Sequence, residues 1–189
     1  MPAVSQVKLH AIRQVKISLE ELIGGITGYM LFREIAHALD PADIYLDGQG
    51  NKVEESLLAP ANLQEYERRV DKIEKYFDGI SIWEGQQVIG SVCRQEAYAE
   101  ICGMDARFVY AAKQEGFDYA AFFIKRAQPG AALCTPEYAL SCIMGADTHP
   151  SYYLDVNVTF QQFEEFNQTF GVKEGDGMYL APEERLIIW

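Results

Sequence analysis

Glutamate and histidine occur at the spacing of a metal-binding helix in "REIAH", residues 33–37. In the zinc-binding pattern H-E-x-x-H, two histidines one helical turn apart hold the metal, and the glutamate deprotonates a metal-bound water. Here Glu34 and His37 occupy the positions of the glutamate and the second histidine, and Arg33 occupies that of the first histidine. Because a guanidinium cannot be deprotonated to coordinate a cation, the segment predicts an incomplete zinc site.

A second pair of carboxylates, Glu96 and Glu100 in "QEAYAE", lies four residues apart and so shares one face of a helix. Glu96 could bind a metal, while Glu100 could accept the ring N–H of a ligand histidine. If both converge with Glu34, the guanidinium of Arg33 can pair with them and supply the charge that a metal would give. The alternative is that Arg33 extends along the helix into solvent.

Composition limits the partners that this chain can have. Its 189 residues carry a formal net charge of -12, which repels phosphate backbones and anionic lipid surfaces. The sequence therefore predicts no nucleic-acid partner and no membrane partner. No apolar run reaches the ~18 residues of a membrane span, and the first residues are too polar for a signal peptide, so we expect a soluble protein.

The hydrophobic pattern predicts a mainly helical protein. The first helix begins at the capping box of Ser18 and Glu21 and stops at Asp40 and Pro41. Glycine at position 103, inside the third helix, indicates close approach of another helix. The predicted helices cover residues 18–40, 60–77, 91–114, 117–128, 136–144 and 160–170.

We expect a short lead segment, residues 1–17, followed by a single domain, residues 18–189, of mainly α (α+β) class. Short strands are expected near the N-terminus and within residues 80–90 and 152–158. Four cysteines without C-x-x-C spacing favour buried free thiols over disulfides or a zinc ribbon.

Four segments in order along residues 22–189 together resemble the neprilysin-like zinc metallopeptidases, the family that includes the endothelin-converting enzymes. The resemblance implies a zincin-like fold similar to the helical catalytic lobe of that family. It also implies zinc as cofactor and peptide hydrolysis as activity. The segments are "GGITGYMLFREIAHALD", "GQQVIGSVCRQEAYAEICGMDA", "TPEYALSCIMGADTHP" and "PEERLIIW".

The resemblance assigns roles to residues position by position. Glu34 falls on the general base, His37 and Glu96 on two zinc ligands, and Glu100 on the carboxylate behind the metal. His149 falls on the histidine that stabilises the oxyanion, with Asp147 beside it. Two departures stand out: Arg33 replaces the first zinc ligand, and the place of the family's carboxylate-binding arginine falls on or near Asp155.

We therefore expect a degenerate peptidase-like domain that lacks catalysis and the zinc of its family and that binds a peptide or protein in the remnant cleft. One alternative is an active zinc metalloendopeptidase whose altered site uses His37, Glu96 and either His149 or Glu100 as ligands. Another is a fragment of a larger enzyme, in which Arg33 would still replace a ligand.

Overall fold

The computed structural model describes residues 26–189 except 84, 132–134 and 142–146. Within these residues the chain forms seven α-helices, four short 3-10 helices and one two-stranded sheet. The 3-10 helices are His37–Leu39, Asp43–Tyr45, Gln128–Gly130 and Pro182–Glu184. The α-helices and strands are α1 Ile26–Ala36, α2 Pro60–Phe77, β1 Ser81–Trp83, β2 Gln86–Gln87, α3 Gly90–Ala111, α4 Tyr119–Ala127, α5 Pro136–Ser141, α6 Tyr152–Gln161 and α7 Glu164–Phe170.

Helix α3 lies at the centre of the fold. It packs against α1 on one side, against α2 on another, and also against α6. Its buried residues point in several directions around the helix, among them Ala97, Tyr98, Met104 and Phe108. Burial in several directions is typical of a core helix, so a polar residue on a buried face of α3 needs a favourable contact inside the protein.

Helix α2 shows the opposite, amphipathic pattern. Pro60 occupies its first turn, where a missing backbone N–H costs no hydrogen bond. Tyr66, Val70, Ile73 and Phe77 recur at helical spacing and bury one stripe against the core. The charged residues between them face outward, as the sequence predicts.

The largest aromatic assembly lies where α3, α4, α6 and α7 meet, and we call it the aromatic cluster. Its rings contact each other mostly edge to face, with centroid distances from 4.9 Å between Phe123 and Phe160 to 5.7 Å between Phe108 and Tyr119. Such pairs add packing energy to the burial of apolar area. The cluster consists of Phe108, Tyr119, Phe122, Phe123, Phe160, Phe163 and Phe166.

The prediction of a strand at residues 152–158 is wrong, because this segment belongs to α6. Its aromatic and β-branched residues favour a strand locally, but Leu154 and Val158 stand one helical turn apart and are both buried. Packing against α3 and against the turn at Gly130 thus decides the conformation. The strands expected within residues 80–90 are confirmed as the antiparallel pair β1 and β2.

Within the described residues, the remaining helix predictions agree with the structure to within a few residues, except that residues 160–170 contain the end of α6 and all of α7. Cys93 and Cys102 are buried free thiols. The lead segment, the Ser18 cap and the N-terminal strand lie outside the described residues. Among the helices of the described ranges, none is both long enough and apolar enough to cross a membrane.

Candidate functional site

The backbone of α1 touches α3 at Gly103, and this contact places Arg33. A Cβ atom at Gly103 would lie 2.7 Å from Arg33 Cα and 2.8 Å from its nitrogen, closer than real Cβ atoms approach backbone. The close approach expected from the glycine is therefore present. It brings the side chain of Arg33 between α1 and the N-terminal half of α3, where only 5% of the residue is exposed.

The guanidinium of Arg33 pairs with a carboxylate on each of its nitrogens. Nε donates to Glu100 Oε1 at 2.7 Å, and Nη1 donates to Glu34 Oε1 at 2.5 Å. Nη2 donates to Glu96 Oε2. Arg33 thus turns inward, and the alternative in which it extends into solvent does not describe this structure.

His37 lies just beyond α1, in the first position of a 3-10 turn, and its ring is oriented by Asp40. The His37 Nδ1 and Asp40 Oδ2 atoms are 2.9 Å apart, and His37 Nε2 faces Glu96 Oε2 at 3.4 Å. Asp40 is fully buried and accepts hydrogen bonds from Gln95 Nε2 and from the backbone N–H of Ala42 and Asp43. The sequence analysis assigned Asp40 no role in orienting the ring of His37.

His149 approaches the same place from the segment before α6. Its Nε2 lies 2.8 Å from Arg33 Nη2 and 3.2 Å from Glu96 Oε2, and its Nδ1 lies 2.8 Å from Asp147 Oδ1. The guanidinium can only donate, so His149 Nε2 accepts, and Nδ1 carries the proton that is donated to Asp147. The backbone N–H of His149 also donates to Asp147, and this bond lowers the pKa of that carboxyl.

A second buried arginine, Arg126 of α4, lies behind Glu100. Its Nη2 donates to Glu100 Oε2 at 2.9 Å and to Asp155 Oδ2 at 2.7 Å. The guanidinium also stands 4.5 Å from the ring centroid of Tyr29. Sequence reasoning missed Arg126, because an arginine in the last turn of a short helix carries no motif of its own.

We call the whole assembly the ionic cluster. It contains two guanidiniums and five carboxylates, so acid is in excess. Burial raises the pKa of Glu100 to about 8, with the charge of Asp155 adding to the shift and Arg126 opposing it. The cluster consists of Arg33, Glu34, His37, Glu96, Glu100, Arg126, Asp147, His149 and Asp155.

The structure brings together all seven residues that the sequence proposed for the site. Glu34 is the most open of the carboxylates, with 59% of its side chain exposed, whereas Glu96 retains 16% and Glu100 6%. The sequence-predicted residues are Arg33, Glu34, His37, Glu96, Glu100, Asp147 and His149.

A zinc site would require at least three lone-pair donors around one open point. Here that point holds Arg33 Nη2, which carries hydrogens toward Glu96 and His149. In the part of the chain that the structure describes, no three His, Cys, Asp or Glu side chains are arranged to hold a metal as they stand. The donors in this arrangement therefore fit a guanidinium and do not fit zinc.

A shallow depression opens beside His149, between the β1–β2 hairpin and the start of α6. Apolar side chains, including Ile82, Val88 and Val92, form most of its wall, and it encloses about 20 Å³. That volume admits little more than one water molecule. The exposed rings of Tyr152 and Tyr153 follow directly in α6.

Comparisons with known proteins find relatives over most of this chain. Residues 23–186 match the profile of Peptidase family M13. A neutral endopeptidase of Lactococcus lactis subsp. lactis (strain IL1403) is 30% identical over 187 residues, and one of Lactobacillus helveticus is 31% identical over 170 residues. These alignments cover 99% and 88% of this chain but only 28% and 25% of the two relatives.

Solved structures show the same fold. The crystal structure of PepO from Lactobacillus rhamnosis HN001 (DR20) superposes with a TM-score of 0.80 at 34% identity, covering 93% of this chain and 27% of that one. The Mycobacterium tuberculosis zinc metalloprotease Zmp1 in complex with inhibitor gives a TM-score of 0.78 at 21% identity, covering 88% and 27%.

Proposed function

We propose that this chain, which belongs to Peptidase family M13, is a peptidase-like domain that does not hydrolyse peptides. In this proposal it binds a peptide or protein ligand in the remnant of the cleft. The neprilysin-like resemblance of its sequence concerns this same family of zinc metallopeptidases. The observation that carries the proposal is the position of the Arg33 guanidinium, which contacts Glu34, Glu96, Glu100 and His149 at once.

The proposed loss of catalysis follows from the positive charge of Arg33 and from the place that its guanidinium occupies among the carboxylates. A permanently protonated guanidinium offers no lone pair, and its positive charge repels a dication. The three hydrogen bonds that hold it to carboxylates are of the charge-assisted kind, which is about twice as strong as the neutral kind. Removal of the side chain from this position would leave Glu96 without a guanidinium partner and Glu100 with Arg126 alone, so the guanidinium stays.

The residues assigned to base and oxyanion chemistry are also engaged. Glu34 pairs with Arg33, so the carboxylate assigned to base chemistry is already bound to a cation, although 59% of its side chain is exposed. His149 accepts from Arg33 through Nε2, the atom that would otherwise face the reacting oxygen. Both residues thus serve the ionic cluster.

Ligand binding is supported by what lies open beside the cluster. Tyr152 and Tyr153 are 53% and 69% exposed and directly follow the site segment. Exposed aromatic rings contribute contact area at low entropic cost, and the net charge of -12 favours basic ligands. We therefore expect a basic peptide segment as ligand.

The rival function is an active metalloendopeptidase with an altered zinc site. One observation favours it: the Nε2 atoms of His37 and His149 both face Glu96 Oε2, at 3.4 Å and 3.2 Å. It requires the guanidinium to leave this position in the unaltered chain.

Zinc content and peptide cleavage decide between the two functions. The purified chain is analysed for bound zinc and assayed with a quenched fluorescent peptide, in parallel with Arg33→His and with Arg68→His, which makes the same substitution on the exposed face of α2. We expect zinc in Arg33→His alone. One equivalent of zinc with cleavage in the unaltered chain would establish the rival function.

Binding is tested with an array of short basic and acidic peptides. The unaltered chain should retain basic peptides, and the Tyr152→Ser/Tyr153→Ser variant should lose them. Val109→Ser, which changes an equally exposed apolar residue at the other end of α3, serves as the matched control. Equal retention of acidic and basic peptides would contradict the proposed ligand.

A further inference from the structure

One side of α1 is apolar and open to solvent. Leu31, Ile35 and Leu39 follow one another at intervals of four residues, and they are 51%, 58% and 39% exposed. Leu39 belongs to the 3-10 turn that continues α1. We call these three residues the α1 stripe. Single exposed apolar residues are common, whereas a contiguous apolar row is typical of a contact surface.

The α1 stripe lies on the side of the helix opposite to the ionic cluster. Leu31 and Ile35 stand two residues before and after Arg33, and two residues correspond to about 200° around an α-helix. Arg33 is buried where α1 meets α3. A helix that is apolar on both sides is normally covered on both sides. The described residues leave the stripe side of α1 open.

The spacing of the stripe fits a helical partner. Side chains four residues apart form a ridge on a helix, and such ridges pack into the grooves of a second helix. The eight residues from Leu31 to Leu39 span about 12 Å, which is about two turns of an opposing helix. An amphipathic helix that lays its apolar face on this ridge would bury all three side chains.

Charge limits which helix can bind there. Glu34 stands three residues after Leu31, a spacing at which side chains are neighbours on a helix surface, and 59% of its side chain is exposed. The chain as a whole carries a net charge of -12. A second copy of this chain would bring its own Glu34 and the same net charge to this face, and like charges oppose that pairing. A helix with basic flanks would be attracted.

We propose that the α1 stripe binds an amphipathic helix of a partner protein, with large aliphatic side chains on one face and lysine or arginine beside them. This surface is separate from the exposed rings of Tyr152 and Tyr153, where the proposed peptide ligand binds. The inference therefore goes beyond the proposed function and does not depend on it.

The test uses the full chain and a fluorescently labelled peptide of leucine and lysine, about 18 residues long so that it can form a helix, with its leucines on one helical face. A peptide of the same composition in scrambled order has the charge without the apolar face. Fluorescence anisotropy measures both affinities. We expect the amphipathic peptide to bind at least about tenfold more tightly than the scrambled one.

Substitutions on α1 locate the surface. Leu31→Ser/Ile35→Ser should weaken binding of the amphipathic peptide by at least about tenfold, because two apolar contacts are lost. Ile124→Ser/Ile187→Ser changes two isoleucines of similar exposure on α4 and in the C-terminal segment, and it should leave the affinity unchanged. Circular dichroism checks that both variants are folded.

Glu34→Gln tests the charge at the edge of the stripe. Binding should weaken by about two- to fivefold, as expected for an exposed ion pair, and added salt should reduce the difference from the unaltered chain. An affinity that is the same with and without this carboxylate would contradict the basic flank of the partner.

Three results would overturn the proposal. The first is no binding of the amphipathic peptide, or equal binding of the scrambled one. The second is a dimer of the unaltered chain in sedimentation that Leu31→Ser/Ile35→Ser dissociates, because the stripe would then bind a second copy. The third is binding that is lost in Tyr152→Ser/Tyr153→Ser and kept in the stripe variant, which would place the peptide at the proposed ligand site and leave the proposed function intact.

Discussion

Helix α3 passes through two regions that are stabilised in different ways. Its N-terminal half carries Glu96 and Glu100 into the ionic cluster, and its C-terminal half carries Phe108 into the aromatic cluster. Charged pairs depend on direction and on the presence of each partner, whereas edge-to-face rings tolerate small shifts. Removal of one partner should therefore cost the ionic cluster much of its contribution to stability. A similar change in the aromatic cluster should be accommodated by small shifts of the neighbouring rings.

Two buried arginines show the same contrast. Arg33 donates to carboxylates from all three nitrogens. Arg107 is fully buried near the aromatic cluster, has no hydrogen-bond partner among the described residues, and lies 4.7 Å from the ring centroid of Phe117. Burial lowers the pKa of Arg107, and ring faces supply the attraction that carboxylates give Arg33.

The largest effect is expected from Arg33→Met, which keeps the volume and removes the charge. Because two buried carboxylates lose their shared partner, the free energy of unfolding should fall by about 3–5 kcal/mol in urea denaturation. Arg33→Met/Glu96→Gln/Glu100→Gln should recover part of this loss. A loss below about 1 kcal/mol in the single variant would contradict the contrast between the regions.

Gly103→Ala tests the helix contact that places Arg33. Helix propensity alone predicts stabilisation of about 1 kcal/mol, but the new Cβ would overlap the Arg33 backbone. We expect the steric overlap to outweigh the gain in helix propensity, with a net destabilisation of about 1–3 kcal/mol. Ala99→Gly, at another buried position of α3, gives the size of the propensity term for comparison.

The raised pKa of Glu100 predicts how the contribution of the ionic cluster to stability depends on pH. The folded chain holds this proton up to a pH of about 8, and an ordinary glutamate holds it up to about 4.5. Between these two pH values the folded state therefore binds more protons than the unfolded chain. The contribution of Glu100 to the free energy of unfolding is complete below about pH 4.5 and falls as the pH rises to about 8.

The slope should approach about 1.4 kcal/mol per pH unit at most, the limit for one proton. Urea denaturation between pH 5 and 8 measures it, and Glu100→Gln should lose this slope even though its overall stability differs. Burial is the main cause of the raised pKa, the charge of Asp155 adds to it, and Arg126 opposes it. Equal slopes in both proteins would contradict the raised pKa.

The smallest effect is expected from Phe123→Leu in the aromatic cluster. An apolar exchange of similar volume usually costs less than about 1.5 kcal/mol, because neighbouring rings can adjust. Thermal denaturation should show a small shift of the midpoint with unchanged helical content. A loss as large as that of Arg33→Met would remove the distinction between the two regions.

Much of the site could be predicted because its residues lie at fixed spacing on two helices. Glu34 and His37 lie three residues apart, within one helical turn. Glu96 and Glu100 lie on one face of α3, and Gly103 marks its contact with α1. The family resemblance then supplied His149 and Asp147, which no local spacing connects with the helices.

The rest depends on contacts that no short segment contains. Arg126 enters the site only because α4 packs behind Glu100, and its partner Asp155 stands at or near the place where the resemblance expects an arginine. The same limit explains the wrong strand at residues 152–158, where local preference and tertiary packing disagree.

The Arg33 guanidinium gives the contact between α1 and α3 a positive charge that belongs to the polypeptide and not to a bound ion. When a dication links helices, the energy of the folded state depends on the free concentration of that ion in the surroundings. A charge that is part of the polypeptide is made with every molecule, in a ratio of one to one, and no competing scavenger can withdraw it. Under the proposed function, a cell starved of zinc would thus assemble α1 against α3 as readily as a cell that is replete.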